Sequence, residues 1–330
     1  MQCMEIQGKH TAAALKELNL PRFQINVGDR NRVERALHVL KLGNAVLLDV
    51  DNGKLVGRKT MAAGDYTFTV KNGNGGKWEQ KIRILIVETG MGMPSLQIIQ
   101  EEMIKHAESV PIVQVRVGTA GGVNSEGVGE PVLKRGDLVC ASFNVGKSLA
   151  LEQKLGFFQK YTFDSEGREE LFRFAEKLEK LGIGFCTSMR FLKNENDPYV
   201  VAAIAESAKS LRYTCHVGGT FSKSSLWAED KKGLMFSLRE EEGVIATEME
   251  QLENAFLAAY TGLKHGVPVL TGMVAALTGA KPGDGFATNK KEELEVEVAV
   301  DRALQVAADA MARIFLKPGE KILNGSNGMH

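Results

Sequence analysis

The octapeptide Val115-Arg116-Val117-Gly118-Thr119-Ala120-Gly121-Gly122 decides how the rest of the chain is interpreted. It continues an apolar run that is typical of a buried strand, and its last five residues carry little side chain. A strand that ends in glycines exposes several backbone N–H groups at one point, where an anion can bind. Arg116 adds a charge that is costly to bury without a partner. We predict a strand over 110–117 and then a loop that binds phosphate. The alternative is a tight turn with the arginine paired to a local carboxylate.

Composition limits the possible partners. The 330 residues suffice for one large α/β domain or two small ones, and the formal net charge of zero gives no general attraction to nucleic acid or to anionic membranes. The spacing of Cys3, Cys140, Cys186 and Cys215 fits neither a metal site nor a disulfide framework, which indicates reduced thiols in a cytoplasmic protein. No apolar run approaches the ~20 residues of a membrane span, and residues 1–10 do not resemble a signal peptide.

A strand, a glycine turn and a helix follow each other early in the chain. Residues 23–27 read as a short strand, residues 28–32 as the turn, and residues 33–42 show apolar side chains at helical spacing. Arg32 then lies in the first turn of a helix, where a positive charge works against the helix dipole. A bound anion would explain it. A surface arginine paired with Asp29 or Glu34 would explain it equally.

The same order of strand, glycine turn and helix recurs before the octapeptide. Residues 45–89 read as β-structure with a hairpin at Asn72–Gly76, and the strand over 82–87 leads into the turn Gly90–Ser95. Pro94 favours a helix start, with the helix reaching residue 106. Strands that alternate with helices predict a largely parallel sheet, whose loops meet at the carboxyl ends of the strands and bind the ligand.

The second half is predicted in the same way. The strand over 213–218 leads into the loop Gly219–Trp227, whose hydroxyl and apolar groups suit a flat heterocycle or a packed loop. The further predicted elements are a short helix over 11–19, a strand over 138–143, a helix over 169–181, a strand over 268–277 with a loop over 279–285, and a helix over 291–316.

Two carboxylates lie close together at Glu248 and Glu250, before a helix that runs through Tyr260. Together they can accept hydrogen bonds from the two hydroxyls of a diol. The alternative is that Thr247 caps the helix and the glutamates lie in its first turn. Both can hold at once.

Four motifs in this order resemble the nucleoside phosphorylase family, with the phosphorylase/hydrolase α/β fold, over about residues 20 to 316. They are Gly28-Asp29-Arg30-Asn31-Arg32, Gly90-Met91-Gly92-Met93-Pro94-Ser95, Arg116-Val117-Gly118-Thr119-Ala120-Gly121-Gly122 and Glu248-Met249-Glu250.

Within that family, Gly272-Met273-Val274-Ala275 is similar to the uridine phosphorylase branch. The bacterial purine branch has an aspartate near this point, whereas this chain has none between Glu250 and Asp284. The resemblance therefore implies reversible phosphorolysis of uridine to uracil and ribose 1-phosphate. A purine or broad-specificity phosphorylase and a nucleoside hydrolase on the same fold are the alternatives.

The resemblance also implies an architecture. We expect an α/β fold with a single-domain αβα sandwich, whose central mixed, partly barrel-like sheet is flanked by helices. Residues 1–20 would form an N-terminal arm in a dimer contact, 21–317 the catalytic domain and 318–330 a disordered tail. A homodimer is the smallest functional unit expected. Inorganic phosphate is the co-substrate without any organic cofactor, and a structural cation at the subunit interface is left open.

The implied site has three parts. The phosphate-binding residues are Gly28, Arg32, Arg116 and Thr119, with Arg58 as the nearest candidate for an arginine donated by the neighbouring subunit. The ribose-binding residues are Thr119, Glu248, Met249 and Glu250, with His10 reaching the neighbour's ribose. The base-binding residues are Ala120, Gly121, Thr220, Phe221 and Leu226, with Asp230, Lys232 and Lys281 at positions where the uridine branch has Gln, Arg and Arg.

Overall fold

The computed structural model places most of the chain. It describes residue 18 and residues 21–51, 58–105, 111–124, 133–146, 179–181, 183–185, 191–223, 232–279, 289–316 and 321–323.

The centre of the molecule is one mixed sheet of twelve strands. The strands are β1 (Phe23–Val27), β2 (Gly43–Asp51), β3 (Arg58–Lys71), β4 (Lys77–Glu88), β5 (Ile112–Gly122), β6 (Leu138–Gly146), β7 (Ile183–Phe185), β8 (Leu192–Glu195), β9 (Cys215–Ser222), β10 (Val244–Glu248), β11 (Val269–Gly279) and β12 (Lys321–Leu323). Their order is β12-β3-β4-β1-β5-β10-β9-β6-β8-β7, with β2 paired to β3, and β11 paired to both β5 and β6.

Five of these strands close into a barrel. Strand β5 pairs with β10, β10 with β9, β9 with β6, β6 with β11, and β11 returns to β5. Apolar side chains of Ala120, Val139, Ala246, Met273 and Leu277 belong to one buried cluster of these barrel strands. The predicted mixed, partly barrel-like sheet is confirmed.

Helices flank the sheet. The six helices of the described chain are α1 (Arg30–Val39), α2 (Met93–Lys105), α3 (Pro198–Ser210), α4 (Lys232–Glu242), α5 (Gln251–His265) and α6 (Lys290–Phe315). Helices α1, α3 and α6 share the largest apolar core with one face of the sheet, while α2 packs against α5. No helix in the described ranges is long and apolar enough to cross a membrane.

Strand β1 shows how the sheet is buried on both sides. Phe23, Ile25 and Val27 point into the largest apolar core, and the alternate residues Gln24 and Asn26 are equally buried on the opposite face. These amides need partners, because an unpaired polar group is costly to bury. Gln24 accepts a hydrogen bond from Gln114 at 3.0 Å, and Asn26 donates one to Asn254 at 3.2 Å. Such two-sided burial is expected of a strand between parallel neighbours.

Most predicted elements of the described chain are confirmed, with small shifts at their ends. Strand β1 has the predicted bounds, and helix α6 covers Lys290–Phe315. The predicted hairpin joins β3 to β4, where the Asn72 amide donates to the Gly76 carbonyl at 3.1 Å.

Two predicted loops are wrong. The chain continues as strand β5 up to Gly122 and as strand β9 up to Ser222. In both places the barrel supplies pairing partners from distant parts of the chain. The glycines there permit close packing: a Cβ added to Gly219 would lie 2.2 Å from the Phe143 ring. A glycine in a strand often marks such a close approach.

Some predictions lie outside the described residues. They are the loops over 280–285 and 224–227, the tail over 324–330, and nearly all of the helices over 11–19 and 169–181. The domain limits at residues 20 and 317 stay predictions.

Gly146, the last residue of β6, provides a test of how tightly the barrel is packed. A Cβ built there would lie 2.5 Å from the backbone oxygen of Ser222, which cannot move without shifting β9. We expect Gly146→Ala to lower the free energy of unfolding by about 1–3 kcal/mol in urea titrations. Gly184→Ala is the matched control, since its nearest neighbouring atom is 4.0 Å away. Equal losses in the two variants would contradict this packing argument.

Candidate active site

Strand β5 changes its neighbour in mid-course. It pairs with parallel β1 as far as Arg116, and with antiparallel β10 from Gly121 onward. Between these two points no strand of the described chain pairs along that edge, and the ends of β1 and β10 approach each other there. A crevice where a strand exchanges its neighbours is the usual ligand site of α/β sheets.

Arg116 lies at the start of this crevice. Its side chain is only 5% exposed, and its Nη2 lies 2.6 Å from Oε2 of Glu250. Its Nη1 donates to the Thr89 hydroxyl at 3.1 Å, and that hydroxyl donates to the Val27 carbonyl at 3.0 Å. A guanidinium has five N–H donors, so these two contacts leave others for an anion.

Glu250 follows β10 and precedes α5. Its Oε1 accepts a hydrogen bond from the Gly92 amide at 2.7 Å, in the glycine turn after β4. Both carboxylate oxygens are therefore bound, one by a peptide amide and one by Arg116. Two glycine-containing motifs, both more than 130 residues from Glu250 along the chain, thus meet at this carboxylate.

Arg32 approaches the same place from α1. Asp29 caps this helix by accepting from the Arg32 amide at 3.0 Å, and its carboxylate lies 3.2 Å from the Arg32 Nε. The Nη1 of Arg32 lies 3.6 Å from where a Gly28 Cβ would stand. Burial lowers the pKa of Arg32, the Asp29 charge opposes this shift, and the charges of Arg116 and Glu250 also act on it. Gly28 follows the end of β1, which pairs with β5 at Arg116, so the Arg32 side chain beside Gly28 lies on the side of the crevice where Arg116 and Glu250 meet.

The alternative explanation of Arg32 is also partly confirmed. Asp29 does pair with Arg32, but Glu34 pairs with Arg30, at 2.9 Å. One quarter of the Arg32 side chain remains exposed, so the pairing with Asp29 does not close it off from a ligand.

Glu248 is held more tightly than Glu250. Its Oε2 accepts from the amides of Glu250 at 2.6 Å and Gln251 at 2.7 Å, and its Oε1 accepts from the Ser222 hydroxyl. The predicted cap of α5 by Thr247 is therefore wrong. Glu248 binds those amides instead, because it is the last residue of β10 and its longer side chain can reach the helix start, while Thr247 lies one residue further from it.

Burial raises the pKa of the Glu248 carboxyl above its ordinary value of 4.5, and the neighbouring Glu250 charge raises it further. The native state then holds this proton in a range of pH where the unfolded state has lost it. Glu248 therefore contributes less stability as the pH rises above about 4.5. We expect the unfolding free energy of the wild type, relative to Glu248→Gln, to fall with rising pH in urea titrations. A constant difference would contradict the raised pKa.

Three predicted site residues lie at or next to the crevice. Thr119 and Gly121 are half-buried on β5, and Met249 is half-buried between the two glutamates. Ala120 instead packs into the barrel core with Leu133 and its neighbours.

Thr220 and Phe221 lie on β9. The Thr220 hydroxyl is fully buried and donates to Asn144 at 2.9 Å. The Phe221 ring packs edge-on against Phe191, with centroids 5.2 Å apart. Both residues lie at the same end of the barrel as Glu248, because Glu248 of β10 is paired with Ser222, the next residue of β9.

Six predicted site residues cannot be placed completely. His10, Leu226, Asp230 and Lys281 lie outside the described residues. Arg58 begins β3 and Lys232 begins α4, but the described structure does not include their side chains. Their roles stay predictions.

Sequence reasoning missed two residues of the cluster, Thr89 and Ser222. Thr89 immediately precedes the glycine turn Gly90–Ser95. A hydroxyl at the end of a strand, next to a glycine turn, could have indicated a site residue. Ser222 lay inside a segment predicted to be a loop. Among the described residues, no three or more His, Cys, Asp or Glu side chains are grouped to hold a metal ion.

Comparison with known families identifies the superfamily of the chain. The model of the Phosphorylase superfamily matches residues 74–316, nearly three quarters of the chain, and includes β5, Glu250 and the barrel. No curated protein matches the chain. The chain belongs to the phosphorylase superfamily and, within it, to the nucleoside phosphorylases that its motifs resemble.

Proposed function

We propose that this protein, as a pentosyltransferase, cleaves uridine with inorganic phosphate to give uracil and ribose 1-phosphate, in a reversible reaction. The observation that carries this proposal is the convergence of Arg32, Arg116 and Glu250 at the point where β5 changes neighbours. Two cations suit a phosphate, and an adjacent carboxylate suits the hydroxyls of a sugar.

Phosphate would bind between Arg32 and Arg116, beside the free edge of β5 near Thr119. Both guanidinium groups are held by carboxylates before substrate arrives, so little reorganisation is needed when charge develops. Gly28 and Gly118 lie beside these guanidinium groups, since a Cβ at either position would be in van der Waals contact with an arginine side chain.

Ribose would bind at Glu250, which accepts hydrogen bonds from the 2′- and 3′-hydroxyls. A phosphate oxygen then attacks C1′ as the bond from C1′ to the base nitrogen breaks, through a sugar with oxocarbenium character. The bonding electron pair leaves with the base, which is protonated afterwards. Holding the two reactants in contact supplies much of the rate enhancement.

The preference for a pyrimidine rests on the sequence. The chain has no aspartate between Glu250 and Asp284, where the purine branch has one, and Gly272–Ala275 is similar to the uridine branch. Lys232, Lys281 or a bound water would stabilise charge on the leaving uracil. Purine phosphorolysis remains the second candidate, because Asp230 and Lys232 replace the usual Gln and Arg.

The complete site would be shared between two subunits in a cytoplasmic homodimer. His10 would reach the neighbour's ribose and Arg58 the neighbour's phosphate. Dimerisation predicts a mass of about twice 36.0 kDa in light scattering at assay concentration.

A panel of nucleosides, assayed with and without phosphate, tests the proposed function. We expect base release only with phosphate, and faster release from uridine than from inosine. Faster cleavage of inosine would select the purine phosphorylase. Release of free ribose without phosphate would select the hydrolase.

A further inference from the structure

The N-terminus of α5 is held by side chains from two different strands. A helix leaves its first N–H groups without partners inside the helix. Here Glu248 of β10 accepts from the amides of Glu250 and Gln251, and the Ser222 hydroxyl of β9 accepts from the Leu252 amide at 3.0 Å. Three consecutive amides are therefore satisfied by two side chains.

Ser222 and Glu248 are also joined to each other. The Ser222 hydroxyl donates to Oε1 of Glu248 while it accepts from Leu252. Both residues are buried, with 1% and 4% exposure. Because Glu248 already accepts three hydrogen bonds from the protein, its oxygens are poorly available to a sugar. The carboxylate left for the sugar is Glu250, whose backbone amide this pair holds.

A second set of hydrogen bonds runs in parallel. Thr220 donates to Asn144, and both Asn144 and Gln251 donate to the side-chain oxygen of Asn196, at 2.9 to 3.1 Å. All four side chains are buried. Strand β9 is therefore tied to the first turn of α5 at both Thr220 and Ser222.

We propose that Ser222 and Glu248 form a clasp that positions Glu250 to recognise the ribose 2′-hydroxyl, so that Ser222 is a positioning residue and Glu248 is not a sugar ligand. This inference rests on the proposed function. It assigns the selectivity for the sugar to the strand that carries the predicted base-binding residues Thr220 and Phe221.

The decisive variant is Ser222→Ala, which removes both hydrogen bonds of the hydroxyl. We expect kcat/KM for uridine to fall about 10-fold, and that for 2′-deoxyuridine to fall only about 2-fold, because the deoxy sugar lacks the 2′-hydroxyl, one of the two hydroxyls that Glu250 would bind. A general loss of structure would lower both values equally. An unchanged ratio between the two substrates would overturn the inference while leaving the proposed function standing.

Ser237→Ala is the matched control. Its hydroxyl also contacts a glutamate, Glu241 at 3.2 Å, but on the exposed side of α4. Both rates and their ratio should equal those of the wild type. A shift of the ratio in this variant as large as in Ser222→Ala would overturn the assignment to Ser222.

Glu248→Gln keeps the shape of the clasp, since the amide oxygen can accept from the helix and the amide nitrogen can donate to Ser222. We expect the ratio of uridine to deoxyuridine to stay within about 3-fold of the wild-type ratio. A selective loss for uridine of 10-fold or more would make Glu248 a sugar ligand and overturn the inference. This variant decides the question if Ser222→Ala does not fold.

Hydrogen exchange separates failure of the clasp from failure of the proposed function. The amides of Glu250, Gln251 and Leu252 should exchange at least about 10-fold faster in Ser222→Ala, while those later in α5 keep their protection. If the wild type cleaves no nucleoside, the proposed function is wrong, and the exchange rates of these amides alone test the clasp. Unchanged exchange would overturn it.

Discussion

Arg116→Ala is expected to lower kcat/KM for phosphorolysis by ~10²–10³, the usual effect of removing one preorganised donor to a developing charge. The structure adds a second effect. Arg116 and Glu250 form a buried pair at 2.6 Å, with side chains 5% and 9% exposed. Removing one partner leaves the other charge buried and uncompensated, which costs about 3–5 kcal/mol. The variant should therefore be less stable as well as far less active. The loss of activity can be measured by steady-state assay and the loss of stability by urea titration.

A double variant separates the two effects. Arg116→Ala combined with Glu250→Gln removes both charges, so most of the lost stability should return while kcat/KM stays at or below that of Arg116→Ala. Arg83→Ala is the matched control, since Arg83 pairs with Asp65 at 3.0 Å on β4, away from the crevice. It should cost at most about 1 kcal/mol and leave turnover unchanged. A stable Arg116→Ala variant that cleaves uridine at the wild-type rate would refute the phosphate site.

Glu250→Gln is the second variant with a large expected effect. Glutamine has one acceptor oxygen where the carboxylate has two. It therefore cannot accept hydrogen bonds from Gly92, Arg116 and the sugar hydroxyls at the same time. We expect kcat/KM for uridine to fall about 10²-fold. The KM for phosphate should change far less, because Arg32 and Arg116 both remain.

Glu242→Gln controls for the loss of a buried carboxylate. The Glu242 side chain is 3% exposed and lies 3.2 Å from Lys193, on α4 and outside the Arg116–Glu250 cluster. We expect this variant to lose stability without losing turnover. Equal activity in Glu250→Gln and Glu242→Gln would refute the assignment of Glu250 to the sugar.

The local sequence pattern was sufficient to predict a strand, turn or helix whose own residues have the composition or spacing typical of that element. Strand β1, the turn at Asn72–Gly76 and helix α6 were all predicted close to their observed bounds. The glycine-rich ends of β5 and β9 were predicted to be loops, because residues without side chains give no strand signal. The pairing partners of β5 at this end, β10 and β11, lie more than 100 residues away along the chain, and β9 pairs with β10 and with the more distant β6.

The sequence by itself predicted the family and singled out Arg32, Arg116 and Glu250, since each belongs to a motif that can be read locally. It did not predict β7, β8, α3 or α4. Only the tertiary structure decided that Glu250 is bound by Arg116 and by the Gly92 amide, and that Glu248 and Ser222 satisfy the start of α5. The physical reason is that a buried charge or amide pairs with the polar group that the fold places within about 3 Å. The separation of two residues along the chain does not indicate which groups the fold will place together.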